Sequence, residues 1–149
     1  MYRITQEKID PDALFDEVRT DPCGAVVTFL GTVRDNTMGR RTQYLEYEAY
    51  EEMVLRKFEQ IGEEIKDRWG IDRVGIVHRV GRVEIGEISV VIAIASPHRK
   101  EAFEACAYAI DRIKEDVPIW KKEVWEDGSS WVEEGRPGGT GGGGDKETR

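Results

Sequence analysis

Five basic side chains, three of them in short motifs, carry most of the chemistry this sequence offers. At Ser96-Pro97-His98-Arg99-Lys100 a serine and a proline open a helical pattern, the serine as cap and the proline at the first helical position. The first turn is then cationic, whereas the other two helix starts carry Asp10 and Asp12, or Glu51 and Glu52. The positive end of a helix dipole disfavours each exposed cation by about 0.3–1 kcal/mol, and a bound anion reverses that sign. Solvated basic side chains, with Glu101 in partial compensation, account for the same residues without a ligand. Arg34 ends an apolar run and begins a polar loop, where a rigid scaffold presents binding groups. Arg40 and Arg41 on the same loop add a cationic rim, or only solubility.

Lys114 follows Ile113 and lies four residues beyond Ile110, at the border of an apolar helix face. Lys121 alternates with Ile119, Glu123 and Trp125 against Trp120, Lys122 and Val124, and periodicity leaves open whether Lys121 or Lys122 turns inward. A lysine at an apolar border can act as nucleophile or acid–base group, hold an anion, or simply extend its stem along the core. The P-loop, the GxGxxG turn, the GxSxG elbow and HExxH are all absent. His78 and His98 are too few for a histidine-rich metal centre, and Cys23 and Cys106 too far apart for a CxxC site, so no metal is expected.

The elements that must position these residues alternate along the chain. Asp10-Pro11-Asp12 starts a short helix with Leu14, Phe15 and Val18 on its apolar face. Gly24 to Val33 fits a buried strand, and with Thr42 to Tyr50 it reads as a hairpin across a long polar connection. Glu51 to Trp69 is a helix by the spacing of Val54, Phe58, Ile61, Ile65 and Trp69, ended by Gly70. Asp72 to Val80 and Glu87 to Ala95 are strands, with Gly81 to Gly86 a turn or short strand between them. The helix begun at Ser96 and Pro97 has Ala102, Phe103, Cys106, Ile110, Ile113 and Val117 as its inner face. Ile119 to Trp125 and Ser130 to Glu133 form strands joined at Asp127-Gly128. The four tryptophans are expected to pack against sheet and helices. Without a strict βαβ rhythm the class is α+β.

With 149 residues, 39% apolar content and a net charge of −8 from 22 Lys+Arg and 30 Asp+Glu, the chain reads as one domain over 1–135. Residues 136–149, with six glycines between 138 and 144, read as a disordered Gly-rich tail. The acidic balance argues against nucleic acid and anionic membranes as partners, yet leaves room for a small anion in a local basic pocket. With neither a membrane span nor a signal peptide in the sequence, a cytoplasmic protein is expected.

Taken in order, GAVVTFLGTVRDN at Gly24 to Asn36, VHRVG at Val77 to Gly81, SPHRKEAFEAC at Ser96 to Cys106 and IKEDVPIWKKE at Ile113 to Glu123 resemble the large, catalytic subunit of molybdopterin synthase, the MoaE family. Trp131-Val132-Glu133 fits the same pattern, although Glu134-Gly135-Arg136 departs from the Ala-Arg that often follows in that family. The resemblance implies an α/β-hammerhead-type fold with an additional antiparallel β subdomain. It also implies a sulfurtransferase of molybdenum cofactor biosynthesis that converts cyclic pyranopterin monophosphate (precursor Z) to molybdopterin by adding two sulfurs. The sulfur comes from the thiocarboxylated C-terminal glycine of a small ubiquitin-like subunit, so no further cofactor is implied. The implied assembly is a heterotetramer built on a homodimer of large subunits.

By match, Lys114 and Lys121 are the implied catalytic residues. Arg34, His98 and Arg99 form the implied phosphate site, and Thr32, Val33, Lys122 and Glu123 take the remaining substrate contacts. Two readings of another class compete, a non-catalytic anion-binding module and a scaffold subunit whose partner holds the activity. Sulfur transfer that needs both lysines separates them.

Overall fold

Helix α2 (Glu51–Trp69) forms where the sequence spaces Val54, Phe58, Ile61 and Ile65 by four, three and four, and all four are buried. Its first turn carries Glu51 and Glu52, and Gly70 closes it in the left-handed region at φ 68°. The computed structural model describes residues 1–126 and 128–134. The Gly-rich tail expected over 136–149, Arg136 and Asp127 of the expected turn therefore lie outside the described residues.

Two sheets organise the rest. The first has the order β1 (Tyr2–Thr5), β5 (Arg73–Arg79), β7 (Ile88–Ser96), β2 (Ala25–Thr32). In it β1 runs parallel to β5, and the other pairs are antiparallel. The second sheet has the order β3 (Asn36–Thr37), β4 (Arg40–Ala49), β8 (Ile119–Trp125), β9 (Gly128–Glu134), with β6 (Gly81–Glu84) also paired to β4. Helix α1 (Pro11–Val18) packs through Leu14 and Val18 on Val77, Val91, Ala93 and Ala95. Helices α2 and α3 (Arg99–Asp116) share the larger core, which includes Ile76, Ile92 and Ile94 of the first sheet and Leu45, Tyr47 and Ile119 of the second. Burying each large aliphatic side chain of this kind contributes roughly 1.5–3 kcal/mol. The result is an α+β fold with an added antiparallel subdomain.

Five expectations are corrected. Residues 24–33 and 42–50 do not form a hairpin. Strand β2 pairs with β7, β4 pairs with β8 and β6, and only the short β3 returns onto β4. Strand β2 is an edge strand, so it is half-buried and Leu30 is 39% exposed. Helix α3 begins at Arg99 with His98 as N-cap, because Ser96 is still paired to Ala25 as the last residue of β7. Phe103 is 60% exposed. Its place is taken by Ala102, Ala105, Cys106 and Ala109, a stripe of small side chains that lets α3 lie close on the sheet. Trp131 is 52% exposed, its ring covered only in part by Lys122, whose Nζ is 5.8 Å from the ring centroid.

Candidate active site

Four segments converge where the two sheets meet. The end of β2 supplies Thr32, and the loop after it supplies Arg34. The register of β2 against β7 slips here, with Gly31 opposite Val90 but Thr32 opposite Ile88. Ser89 is the residue left over, and its hydroxyl donates to the Gly31 carbonyl at 3.2 Å. A bulge of this kind bends the strand and re-aims side chains. The β3–β4 turn places Met38 and Gly39 both at positive φ, 50° and 82°, as a two-residue type I′ turn requires. Asn36 secures that turn by accepting from the Gly39 N–H at 3.1 Å.

The last turn of α3 carries Lys114, where the negative pole of the helix dipole favours a cation. Strand β8 settles which lysine turns inward. Lys121 and Glu123 are 3% and 2% exposed, whereas Lys122 lies on the other face against Trp131. The resulting cleft is lined by Thr32, Arg34, Lys114, Lys121 and Glu123, together with Phe29, Tyr47, Thr37 and Ser89. Among the described residues three cations thus face one carboxylate, a local positive excess inside a chain of net charge −8. Such a cleft can hold a small anion, stabilise developing negative charge, or move a proton through a lysine. Glu123 accepts hydroxyl hydrogen bonds from Thr42, at 3.0 Å, and from Thr37.

Tyr47 stands opposite Lys121 in the β4–β8 register. Behind it, its ring meets that of His78 edge-on at 5.0 Å between centroids. His78 is buried, with Nδ1 2.7 Å from the Arg79 carbonyl oxygen. A carbonyl only accepts, so the proton sits on Nδ1 and the imidazole backs the cleft wall. Cys106 is also buried, and desolvation pushes its thiol up to about 11, which leaves little thiolate at neutral pH.

Of the residues expected from the sequence, the structure therefore brings together Thr32, Arg34, Lys114, Lys121 and Glu123. Val33 is a core residue, 4% exposed, tied to the β6–β7 turn by backbone hydrogen bonds with Gly86 and Glu87. His98 and Arg99 are exposed at the far end of α3. They sit by the start of β2, where Gly24 comes so close that a Cβ on it would lie 2.7 Å from the Pro97 oxygen. Fifteen residues of helix separate Arg99 from Lys114, about 22 Å along the axis at 1.5 Å per residue. No side chain bridges that distance, so within one chain the two cationic ends of α3 do not form one site. The sequence reading missed Thr37, Tyr47 and Ser89. The inward alternation of Leu45 and Tyr47 was the one available signal for Tyr47, and nothing in the pattern marked the two bulges.

The model for the MoaE protein family matches residues 4–116. The chain belongs to the MoaE family. The molybdopterin synthase catalytic subunit of Halalkalibacterium halodurans is 53% identical over 131 residues, 88% of this chain and 84% of that protein. The crystal structure of molybdopterin synthase from Staphylococcus aureus aligns with a TM-score of 0.84 at 51% identity, covering 87% of this chain and 94% of the other. A complex of subunits 1 and 2 of the molybdopterin-converting factor from Helicobacter pylori aligns with a TM-score of 0.74 at 27% identity, over 88% and 89% of the two chains. Arg34, His98, Arg99 and Lys114 lie inside the span matched by the MoaE model, while Lys121 and Glu123 lie on the strand beyond it.

Proposed function

We propose that this chain is the catalytic subunit of a molybdopterin synthase, a cytoplasmic sulfurtransferase that converts precursor Z to molybdopterin with a small ubiquitin-like subunit as sulfur donor. The observation that carries the reading is the meeting of Lys114 and Lys121, from a helix and a strand of different subdomains, with Arg34 in one walled cleft. The relatives' names point to molybdopterin synthesis, the family resemblance implies sulfur transfer as its chemistry, and the cleft holds groups suited to it. Sulfur of the terminal thiocarboxylate displaces an oxygen substituent from a side-chain carbon of the pterin, so that a C–S bond forms as the C–O bond breaks, the departing oxygen takes up a proton and an acyl-thio linkage results. Water then releases the glycine carboxylate and leaves the sulfur on the pterin. The ammonium groups of Lys114 and Lys121 stabilise the charge that develops in both steps, and either can carry the proton.

By the family resemblance further cations hold the phosphate end of the substrate, and the cleft of a single chain does not present them. His98 and Arg99 supply them only if they belong to a second copy of the chain, in a homodimer of large subunits that presents the start of one α3 to the cleft of its partner. This arrangement accounts for cations that oppose their own helix dipole, because a bound phosphate turns that cost into a gain. It also accounts for their exposure in the single chain. The test is molybdopterin formation from precursor Z and thiocarboxylated small subunit. The parent protein makes product, and Lys114→Ala and Lys121→Ala assemble with the small subunit but do not. Product formation at the parent rate by either variant would remove that lysine from its role.

A further inference from the structure

The Glu123 carboxylate is held by a device that the strand pattern alone would not produce. Along β4, Tyr47 stands opposite Lys121 and Leu45 opposite Glu123, so simple alternation would turn Gln43 inward next. Instead the register slips between Thr42 and Tyr44, and Thr42 pairs with Trp125. Gln43 is exposed and Thr42 is 3% exposed, with its hydroxyl on Glu123 Oε1 at 3.0 Å. The bulge thus exchanges an amide for a hydroxyl at the β4 position that reaches the carboxylate. A second hydroxyl, from Thr37, donates to the same oxygen across the type I′ turn. The two threonines are five residues apart in the chain and more than eighty from Glu123.

We infer that Thr37 and Thr42 are positioning residues for the reaction, an inference that rests on the cleft being the site of sulfur transfer. Two hydroxyl donors converging on one oxygen fix the rotamer of a buried carboxylate. Glu123 shares its strand face with Lys121, two residues away, and lines the same cleft. Holding Glu123 therefore fixes the place of the single negative charge among Arg34, Lys114 and Lys121, and with it the arrangement of the cations that meet the reacting groups. Neither threonine needs to touch the substrate for this.

The test uses the assembled enzyme with thiocarboxylated small subunit and precursor Z. Thr37→Val and Thr42→Val keep the side-chain shape and remove the donors, and Thr37→Ser and Thr42→Ser return the hydroxyl without the methyl. The double valine variant is expected to lose about tenfold or more in kcat, with KM for precursor Z within about twofold of the parent, and the double serine variant to recover most of the loss. Parent-like kcat in the double valine variant overturns the inference. So does a loss that serine fails to rescue, since that would report packing alone. Should the double variant fail to fold, the single Thr37→Val variant, on the half-buried turn, carries the same comparison. A crystal structure of the valine variant separates this inference from the functional reading. If the parent makes no molybdopterin the functional reading falls, and a Glu123 carboxylate left in place without its donors overturns the positioning role independently.

Discussion

At its C-terminal end α3 presents Lys114 to a walled cleft with the negative pole of the helix behind it, while at its N-terminal end it presents Arg99 and Lys100 to solvent with the positive pole behind them. Both ends are cationic, but only the first is explained by its own chain. There the helix dipole, the bulge in β2 and strand β8 converge on one site. At the other end His98 makes no side-chain cap hydrogen bond, and among the described residues Lys100 pairs only with Glu104, at 3.6 Å on its own helix. A third region of the same helix sharpens the contrast. On its outer face Arg112 donates to both Glu64 oxygens, Tyr108 donates to Glu64 at 2.6 Å, and Asp116 takes Lys57 at 2.8 Å and Arg112 at 3.6 Å. Where each carboxylate has its cation, charge holds two helices together. At the cleft, cations from three segments gather around a concave space where an anionic ligand can meet them.

The largest effect is expected at the cleft end. Lys121→Ala and Lys114→Ala should each lower kcat for molybdopterin formation by on the order of 10²-fold or more, with circular dichroism unchanged. A loss of only a few-fold at both would place the chemistry elsewhere. The next effect belongs to the exposed end. Arg99→Ala should raise KM for precursor Z by about tenfold with a smaller change in kcat, since it removes a contact to a non-reacting phosphate. Unchanged affinity, measured by calorimetry with precursor Z, would leave the basic helix start as solvated surface.

The smallest effect on activity is expected on the outer face. The Arg112 hydrogen bond holds Glu64 down to about 2, aided by Tyr108 and Gln60. A carboxylate depressed when folded contributes stability above its ordinary value near 4.5, and that contribution is lost as pH falls toward 2. Glu64→Gln should therefore lower Tm at pH 7 by about 2–5 °C and leave kcat at the parent value. The gap in Tm should close as pH falls from about 4.5 to 2. A gap that persists unchanged at pH 2 would assign the loss to packing instead.

Local pattern made much of this legible from sequence. The bounds of α2 follow from its apolar spacing, its acidic first turn and Gly70. Strands β5, β7 and β8 follow from apolar or alternating runs, and the cationic start of α3 stands out against the acidic starts of α1 and α2. What stayed hidden is non-local. The partners of β2 and β4 are fixed by packing against β7 and β8, over fifty residues away, so residues 24–50 read as a hairpin that does not form. Ser96 looks like a helix cap because the same residue types end strands and open helices, and pairing with Ala25 decided for the strand. The inward turn of Lys121 needed a register against β4. The bulges that aim Ser89 into the cleft and Thr42 at Glu123 leave no mark in hydrophobic periodicity. The separation of His98 and Arg99 from Lys114, by contrast, is already implicit in the one long helix read from Ser96 to Val117.

Mixing two variants that are each deficient at precursor Z concentrations well below the parent KM, where the assay is run, tests most directly the claim that a complete site takes its lysines from one copy and its phosphate-binding cations from another. Lys114→Ala and Arg99→Ala chains are unfolded and refolded together in equal amounts, then assayed with thiocarboxylated small subunit and precursor Z. If the two ends of α3 meet across a twofold dimer, half of the dimers are mixed and one of the two clefts in each is intact, so about a quarter of the parent activity returns. Activity no higher than the average of the two variants alone would show that the cleft works without the α3 start of a second copy, and would contradict the shared site.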